Sequence, residues 1–415
     1  MNKPIKKYNS CRICNSDNIN EVFKLKPTPP GDFFLPKDKL KLSIEKYPLI
    51  VALCEECGYL HLPYILDPEI SYQNYLYETN ISVGLKDNYR KYANDLIKFA
   101  ALEKSNLVLD IGSNDGSMLE AFKSFGMSVV GVEPSKNISD LANKKSLTTI
   151  NSFFNRDVSN EIIEKFGKPL IITSNNTYAN IEDIIQFTEN VKNLLHKDGI
   201  FVIQTGYHPE QMKINMFDYI YHEHFSYFSV KVLKDLLDRC GLELIHVEKH
   251  SIKGGSIRVI SQHKGGKRNP KKSLNTILEE EHLNKIHNSD TYIEFSNNIK
   301  HRKNILLKFL NNILKKSKRI VGYGASHSTT TLLHHFEISK FIDYLVDDNP
   351  IKHGLFSPGY HLPVYPSEKL YKDKPEYVLV LGWQHQDSII NRNKKFSEDG
   401  GKFIIPLPEC KILND

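Results

Sequence analysis

Residues 107–122 read Leu-Val-Leu-Asp-Ile-Gly-Ser-Asn-Asp-Gly-Ser-Met-Leu-Glu-Ala-Phe: an apolar run ending on a carboxylate, a polar turn with two glycines, then the start of a helix. A strand buried on both faces of a parallel sheet reads as such an unbroken apolar run. Glycine lets the turn's backbone approach a ligand closely, and in an open α/β sheet that turn faces the crevice beyond the strand ends. The alternation continues on both sides: a helix over 85–101, strand 128–133, helix 138–144, strand 169–173, helix 181–194 and strand 199–204. A helix over 230–240 and strands over 242–248 and 256–261 complete it. This predicts an α/β protein with a central, Rossmann-like, mostly parallel sheet.

The turn also discriminates between ligands. A dinucleotide site wants G-x-G-x-x-G, so that a pyrophosphate rests on helix amides, whereas this loop presents Asp and Asn. S-adenosylmethionine (SAM) carries no phosphate but does carry an ammonium, which an acidic loop suits. Asp110, Gly112, Asn114 and Gly116 are therefore candidate cofactor residues. Glu133, closing the next strand, is placed to accept both ribose hydroxyls, and Asn175 stands at the end of the strand that starts at 169, beside the crevice. A purely structural turn needs glycine too. The position of Glu133 is what points from a turn to a site.

At 415 residues the chain is too long for one ordinary core. With 40% hydrophobic and 25% charged residues it reads as a soluble globular protein, expected in the cytoplasm, with no signal peptide or membrane span. A formal charge of +6 suits an anionic ligand. Its basic runs are not interleaved with aromatics, so a nucleic-acid partner is not expected.

Four of the six cysteines form two C-x2-C pairs, Cys11/Cys14 and Cys54/Cys57. Two pairs supply a tetrahedral zinc site, and an all-cysteine set leaves no position for a reactive water, so the metal is structural. Two disulfides are the alternative, disfavoured in a reducing compartment. Residues 1–70 thus read as a zinc module with few residues for a core of its own, 71–265 as linker and methyltransferase domain, 266–318 as a helical spacer, and 319–415 as a small α/β domain. The spacer's apolar stripe is Ile305, Leu306, Leu310, Ile313 and Leu314, and strands are expected over 341–346 and 377–381. In the last domain Gly324, Ser326 and His327 open a helix after an apolar strand, where amides and hydroxyls suit a diphosphate. A second, ligand-free α/β turn would look the same.

The segments CRIC, LKPTPPGDFF, CEECGYLHL, DIGSNDG, VVGVEPSKN, FDYIYHEHFSYFS, KGGSIRV and VGYGASHSTTTLLHHF together resemble the sugar C-methyltransferase family, whose members methylate a dTDP-linked 4-keto deoxysugar. The resemblance implies a zinc-binding N-terminal domain, a central SAM fold and a carboxyl domain holding the substrate's nucleotide. It also implies a catalytic group of Tyr221, Glu223 and His224, with His224 as base, and a linker tyrosine, Tyr75 or Tyr77, entering the site. Two segments depart from the family pattern: N-x-x-x-H reads Asn176-Thr-Tyr-Ala-Asn180, and the carboxyl segment reads GWQHQDSII. Both bear on the identity of the sugar more than on the reaction class.

Methyl transfer to carbon needs a carbon nucleophile, and next to a ketone that is an enolate. His224 can serve as base at neutral pH, Glu223 as its orienter or a partner of a sugar hydroxyl, and Tyr221 as donor to the enolate oxygen. His222, which has the weakest claim, and Asn180 complete the candidate substrate contacts. Phe217, Tyr219, Phe225, Tyr227 and Phe228 either roof the site or belong to the core. The expected partner is a nucleotide-linked keto sugar and the expected state a monomer or weak homo-oligomer. The competing readings are a SAM-dependent O-methyltransferase and a SAM-binding scaffold without turnover.

Overall fold

The computed structural model describes residues 4–42, 44–72 and 85–413. A seven-stranded sheet forms the centre of the chain. Its order from one edge is Leu242–His250, Ser256–His263, Ile200–Gly206, Ile171–Asn175, Leu107–Ile111, Ser128–Val132 and Thr149–Ile150. The last five strands run parallel, while Ser256–His263 is antiparallel to both its neighbours. Helix Ser117–Lys123 starts at the turn read from sequence, with Gly116 as its left-handed N-cap at φ 79°. The helix expected from 181 begins instead at Ile184, because the Asp183 side chain accepts the Gln186 N–H and sets the cap there.

The N-terminal module is built on antiparallel strands Ile19–Thr28 and Tyr47–Cys54, extended by Leu60–His61. Its fourth strand is Ser226–Tyr227, contributed by the motif segment from the middle of the chain. The module's apolar face is richer than expected. Val22, Phe23, Leu25, Leu49 and Val51 are buried in one core with Phe295, Ile299 and Leu306 of helix Ser289–Lys315 and with the carboxyl sheet.

That helix therefore packs along its length. Its buried face is Tyr292, Phe295, Ile299, Leu306, Leu310 and Ile313, while Ile305 and Leu314 of the expected stripe are exposed. Each exposed residue is one position, about 100° of rotation, off the buried line.

The carboxyl sheet has six strands in the order Val364–Tyr365, Leu345–Val346, Ile320–Tyr323, Tyr377–Val380, Lys402–Ile405 and Lys411–Leu413. The strand expected over 341–346 is shorter, since Ser339–Phe341 forms a 3-10 turn.

Candidate active site

The two halves of the central turn meet at Glu133. Its Oε2 accepts the Asn114 N–H at 3.0 Å and its Oε1 the Ser135 N–H at 2.9 Å. Burial raises its pKa, opposed by these two bonds. Each carboxylate oxygen keeps a second lone pair, so the group can still receive two hydroxyls. Asp110 is buried at the strand end, where the Thr173 hydroxyl donates to it at 2.6 Å and the Asn175 amide at 3.3 Å. Burial pushes its carboxyl up to about 7. Gly112 has φ 77°, and a Cβ there would lie 2.1 Å from the Thr177 hydroxyl oxygen, so only glycine fits.

A cavity of about 490 Å³ opens over this turn. Asp110, Gly112, Asn114, Glu133 and Asn175 line one end, and Asn180, Tyr219, Tyr221, Glu223 and His224 line the wall beyond. Ser326, His327, Ser328, Asn349 and Lys352 of the carboxyl domain line it too. One chamber therefore joins the acidic loop, the YHEHF segment and the second helix start.

The YHEHF segment is held as a turn, with the His224 N–H bonded to the Tyr221 carbonyl at 3.0 Å. Its side chains accordingly diverge. Glu223 and His224 reach the cavity, whereas His222 is 1% exposed, packs edge-on to Tyr47 and does not line the cavity. His222 is thus a packing residue in this structure, against its placing among the substrate contacts.

The His224 Nδ1 lies 3.0 Å from the Tyr219 carbonyl. A carbonyl only accepts, so Nδ1 carries the proton and Nε2 keeps the lone pair. Burial, together with the nearby Lys253 and His327, drives His224 down to about 3 and holds it neutral. Tyr221 packs on its ring at 4.0 Å.

Gly116 and Gly324 do not line the cavity, contrary to their expected roles as contacts. A Cβ at Gly116 would lie 2.6 Å from a Leu147 methyl, and one at Gly324, where φ is 114°, would lie 2.9 Å from the Gly382 nitrogen. Close packing accounts for both glycines. Phe217 and Phe228 are fully buried core. Tyr75 and Tyr77 lie outside the described residues.

Several residues that sequence reading passed over help build the site. Asp32, from the turn of PPGDFF, lines the cavity and pairs with Lys352, which also donates to the Ala325 carbonyl at 2.7 Å. Asp218, just before the motif, is buried and accepts the Trp383 indole N–H at 2.9 Å and the Gln384 amide at 3.2 Å. The departing GWQ segment therefore holds the motif in place. The position of Asp218 beside an aromatic motif was the available signal; its partners lie about 165 residues away.

The four paired cysteines converge, with all Sγ atoms within 4.8 Å of one another. Separations of 3.6 Å (Cys11–Cys57) and 3.5 Å (Cys14–Cys54) are close to the edge of a tetrahedron with Zn–S bonds of about 2.3 Å, and far beyond a disulfide's length of about 2.05 Å. The donor set fits zinc. From between the first pair, Arg12 donates to the Phe225 carbonyl at 2.7 Å, the Glu182 carbonyl at 2.8 Å and the Tyr59 hydroxyl at 2.8 Å. The zinc knuckle is thereby bonded to the residue that follows His224.

An acidic glycine turn, a strand-end carboxylate facing it and a tetrathiolate site define a SAM-dependent methyltransferase with a structural zinc site. Comparison with known proteins agrees. Family profiles described as a zinc binding domain, a methyltransferase domain and a C-methyltransferase C-terminal domain match residues 11–72, 85–247 and 251–408. C-methyltransferase NovU of Streptomyces niveus is 29% identical over 415 residues, covering 100% of this chain and 99% of its own. The chain is thus similar over its whole length to a C-methyltransferase and matches the three profiles one after another.

Among solved structures, magnesium protoporphyrin IX methyltransferase from Synechocystis PCC 6803 with bound SAH is 14% identical, with TM-score 0.35, covering 47% of this chain and 92% of that one. A SAM-dependent methyltransferase from Clostridium acetobutylicum is 12% identical, with TM-score 0.35, covering 43% and 92%. Among the described residues no helix is long and apolar enough to cross a membrane.

Proposed function

We propose that the protein methylates the carbon adjacent to the ketone of a nucleotide-linked keto sugar, by way of an enolate. The supporting observation is the single cavity that brings the Asp110–Glu133 turn, His224 and the Ser326–Ser328 helix start to one space. When bound, SAM supplies an electrophilic methyl group. Glu133 would receive the ribose hydroxyls, and Asp110, Gly112 and Asn114 of the neighbouring turn would hold the rest of the cofactor.

His224, neutral and with Nε2 unprotonated, takes the proton from the carbon beside the ketone. The electron pair of the broken C–H bond becomes the enolate, whose oxygen Tyr221 faces as a donor. The enolate's negative charge offsets the desolvation that otherwise holds the imidazole neutral, so the ion pair forms only with substrate present. The enolate carbon would then take the methyl group as the sulfonium's S–C bond breaks, the sulfur keeping the electron pair in the departing thioether SAH; the ketone is restored and His224 releases its proton to solvent. Ser326, Ser328 and Lys352 present hydroxyls and a cation to the diphosphate, and Asn180 faces the sugar.

Protein, a nucleotide-linked 4-keto sugar and S-adenosylhomocysteine (SAH) in heavy water should give substrate carrying deuterium at the reacting carbon. With SAM, product NMR should place the new methyl on that carbon. His224→Asn should lose both reactions and keep SAH binding, with a rate loss on the order of 10²–10⁴. A methyl on oxygen refutes the proposal.

A further inference from the structure

His327 lies at the meeting point of the three parts of the molecule. Its Nε2 is 3.7 Å from the Glu223 carboxylate and its Nδ1 is 4.0 Å from that of Asp32. Its ring packs on Tyr221 with centroids 4.9 Å apart, and Tyr221 in turn packs on His224. From the N-terminal module, Gly31 is pressed against it so closely that a Cβ would come within 3.0 Å of the His327 Cα. Asp32 is fixed by the buried Lys352. The ring is thus clamped by Gly31 and Asp32 on one side and by the motif turn on the other.

A phosphate-binding histidine would leave a nitrogen for the phosphate, but here the two ring nitrogens face two carboxylates. Separations of 3.7 and 4.0 Å are longer than hydrogen bonds and within reach of tightening when substrate excludes water. We propose that His327 is a positioning residue: anchored by Asp32, it holds the Glu223 carboxylate and the Tyr221 ring against His224. The proposal rests on the catalytic reading of the motif given above. It also assigns Asp32, a residue of the zinc module's loop, to the support of the reaction.

Two replacements separate this role from others. The amide nitrogen of His327→Gln falls near the place of Nε2, whereas that of His327→Asn falls near Nδ1 and removes the contact that Nε2 makes to Glu223. His327→Asn should lower kcat on the order of 10- to 100-fold with KM little changed, and His327→Gln should restore most of the loss. Adding His327→Asn to Glu223→Gln should cost less than His327→Asn costs in the wild type, because the carboxylate it positions is already gone and only the Tyr221 contact is left to lose. A rise in KM with kcat kept, or losses that multiply in the double variant, would overturn the proposal in favour of direct substrate binding.

A second cycle needs no substrate. Urea midpoints of the SAH-bound wild type, the His327→Asn and Glu223→Gln variants and their double variant should be non-additive. Additive shifts overturn the pairing. Wild type that leaves the keto sugar unmethylated overturns the substrate reading, and the urea cycle then decides the pairing by itself.

Discussion

Replacing Glu133 by glutamine changes one oxygen to an NH2 and keeps the size. In the wild type the two carboxylate oxygens accept the Asn114 and Ser135 N–H groups at 3.0 and 2.9 Å. Glutamine can serve only one of them, and the other N–H then meets a donor in a buried place. An unsatisfied buried donor costs about 1–3 kcal/mol, which should appear as a lower urea midpoint even without cofactor. A ribose hydroxyl also loses its charged acceptor, for which about 1–2 kcal/mol is reasonable, or roughly a 5- to 30-fold rise in Kd. Titration calorimetry with SAH measures the second effect and urea unfolding the first. Glu133→Ala should be worse on both, since neither N–H keeps a partner. If Glu133→Gln binds SAH within about twofold of wild type, below the level at which one lost hydrogen bond registers, the carboxylate does not hold the ribose.

Asp110, pushed up to about 7, should ionise as the cofactor's ammonium arrives. SAH binding near pH 6.5 should then release a proton and weaken as pH falls below about 7, an effect Asp110→Asn removes. Calorimetry in buffers of different ionisation heat reads the proton, and none released by wild type refutes it. Cys11→Ser should abolish zinc binding, measured by a colorimetric chelator, and methyl transfer should fall with it while SAH binding survives. Retained zinc would count against the tetrathiolate site. Burial lowers His61 and His208 to about 3 and His222, His334 and His335 to about 4. Unfolded histidines bind protons below about 6.5, so this stability is present above that pH and lost as pH falls toward 4. A urea midpoint equal at pH 7 and pH 5 would refute it.

Most of the central sheet was legible because its strands carry local signatures, among them the apolar runs closed by Asp110, Glu133 and Asn175, whereas the edge strand Thr149–Ile150, two residues long, is too short to carry one. The zinc site was legible for the same reason, two short pairs with fixed spacing. Long-range partnerships were not. Asp32 and Lys352 are 320 residues apart and each alone looks like a loop charge. His222 and His224 are alike in composition, and only the turn at Tyr221–His224 sends one to the core and the other to the cavity. The strand pattern of Ile19–Thr28 was hidden by Pro27, which sits near its end, where the ladder to Tyr47–Cys54 is irregular.

The two-residue strand Ser226–Tyr227 belongs by sequence to the methyltransferase portion and by hydrogen bonding to the zinc module's sheet. Such a loan of backbone makes the boundary between the two parts a matter of chain order only. Neither can be excised as an independent cassette: a fragment ending at His263 without the first 70 residues would leave Ser226–Tyr227 with no ladder and the Phe225 carbonyl without Arg12. Swapping N-terminal modules between relatives would move part of the reaction chamber with them, so chimaeras cut at the linker should exchange more than a stabilising metal.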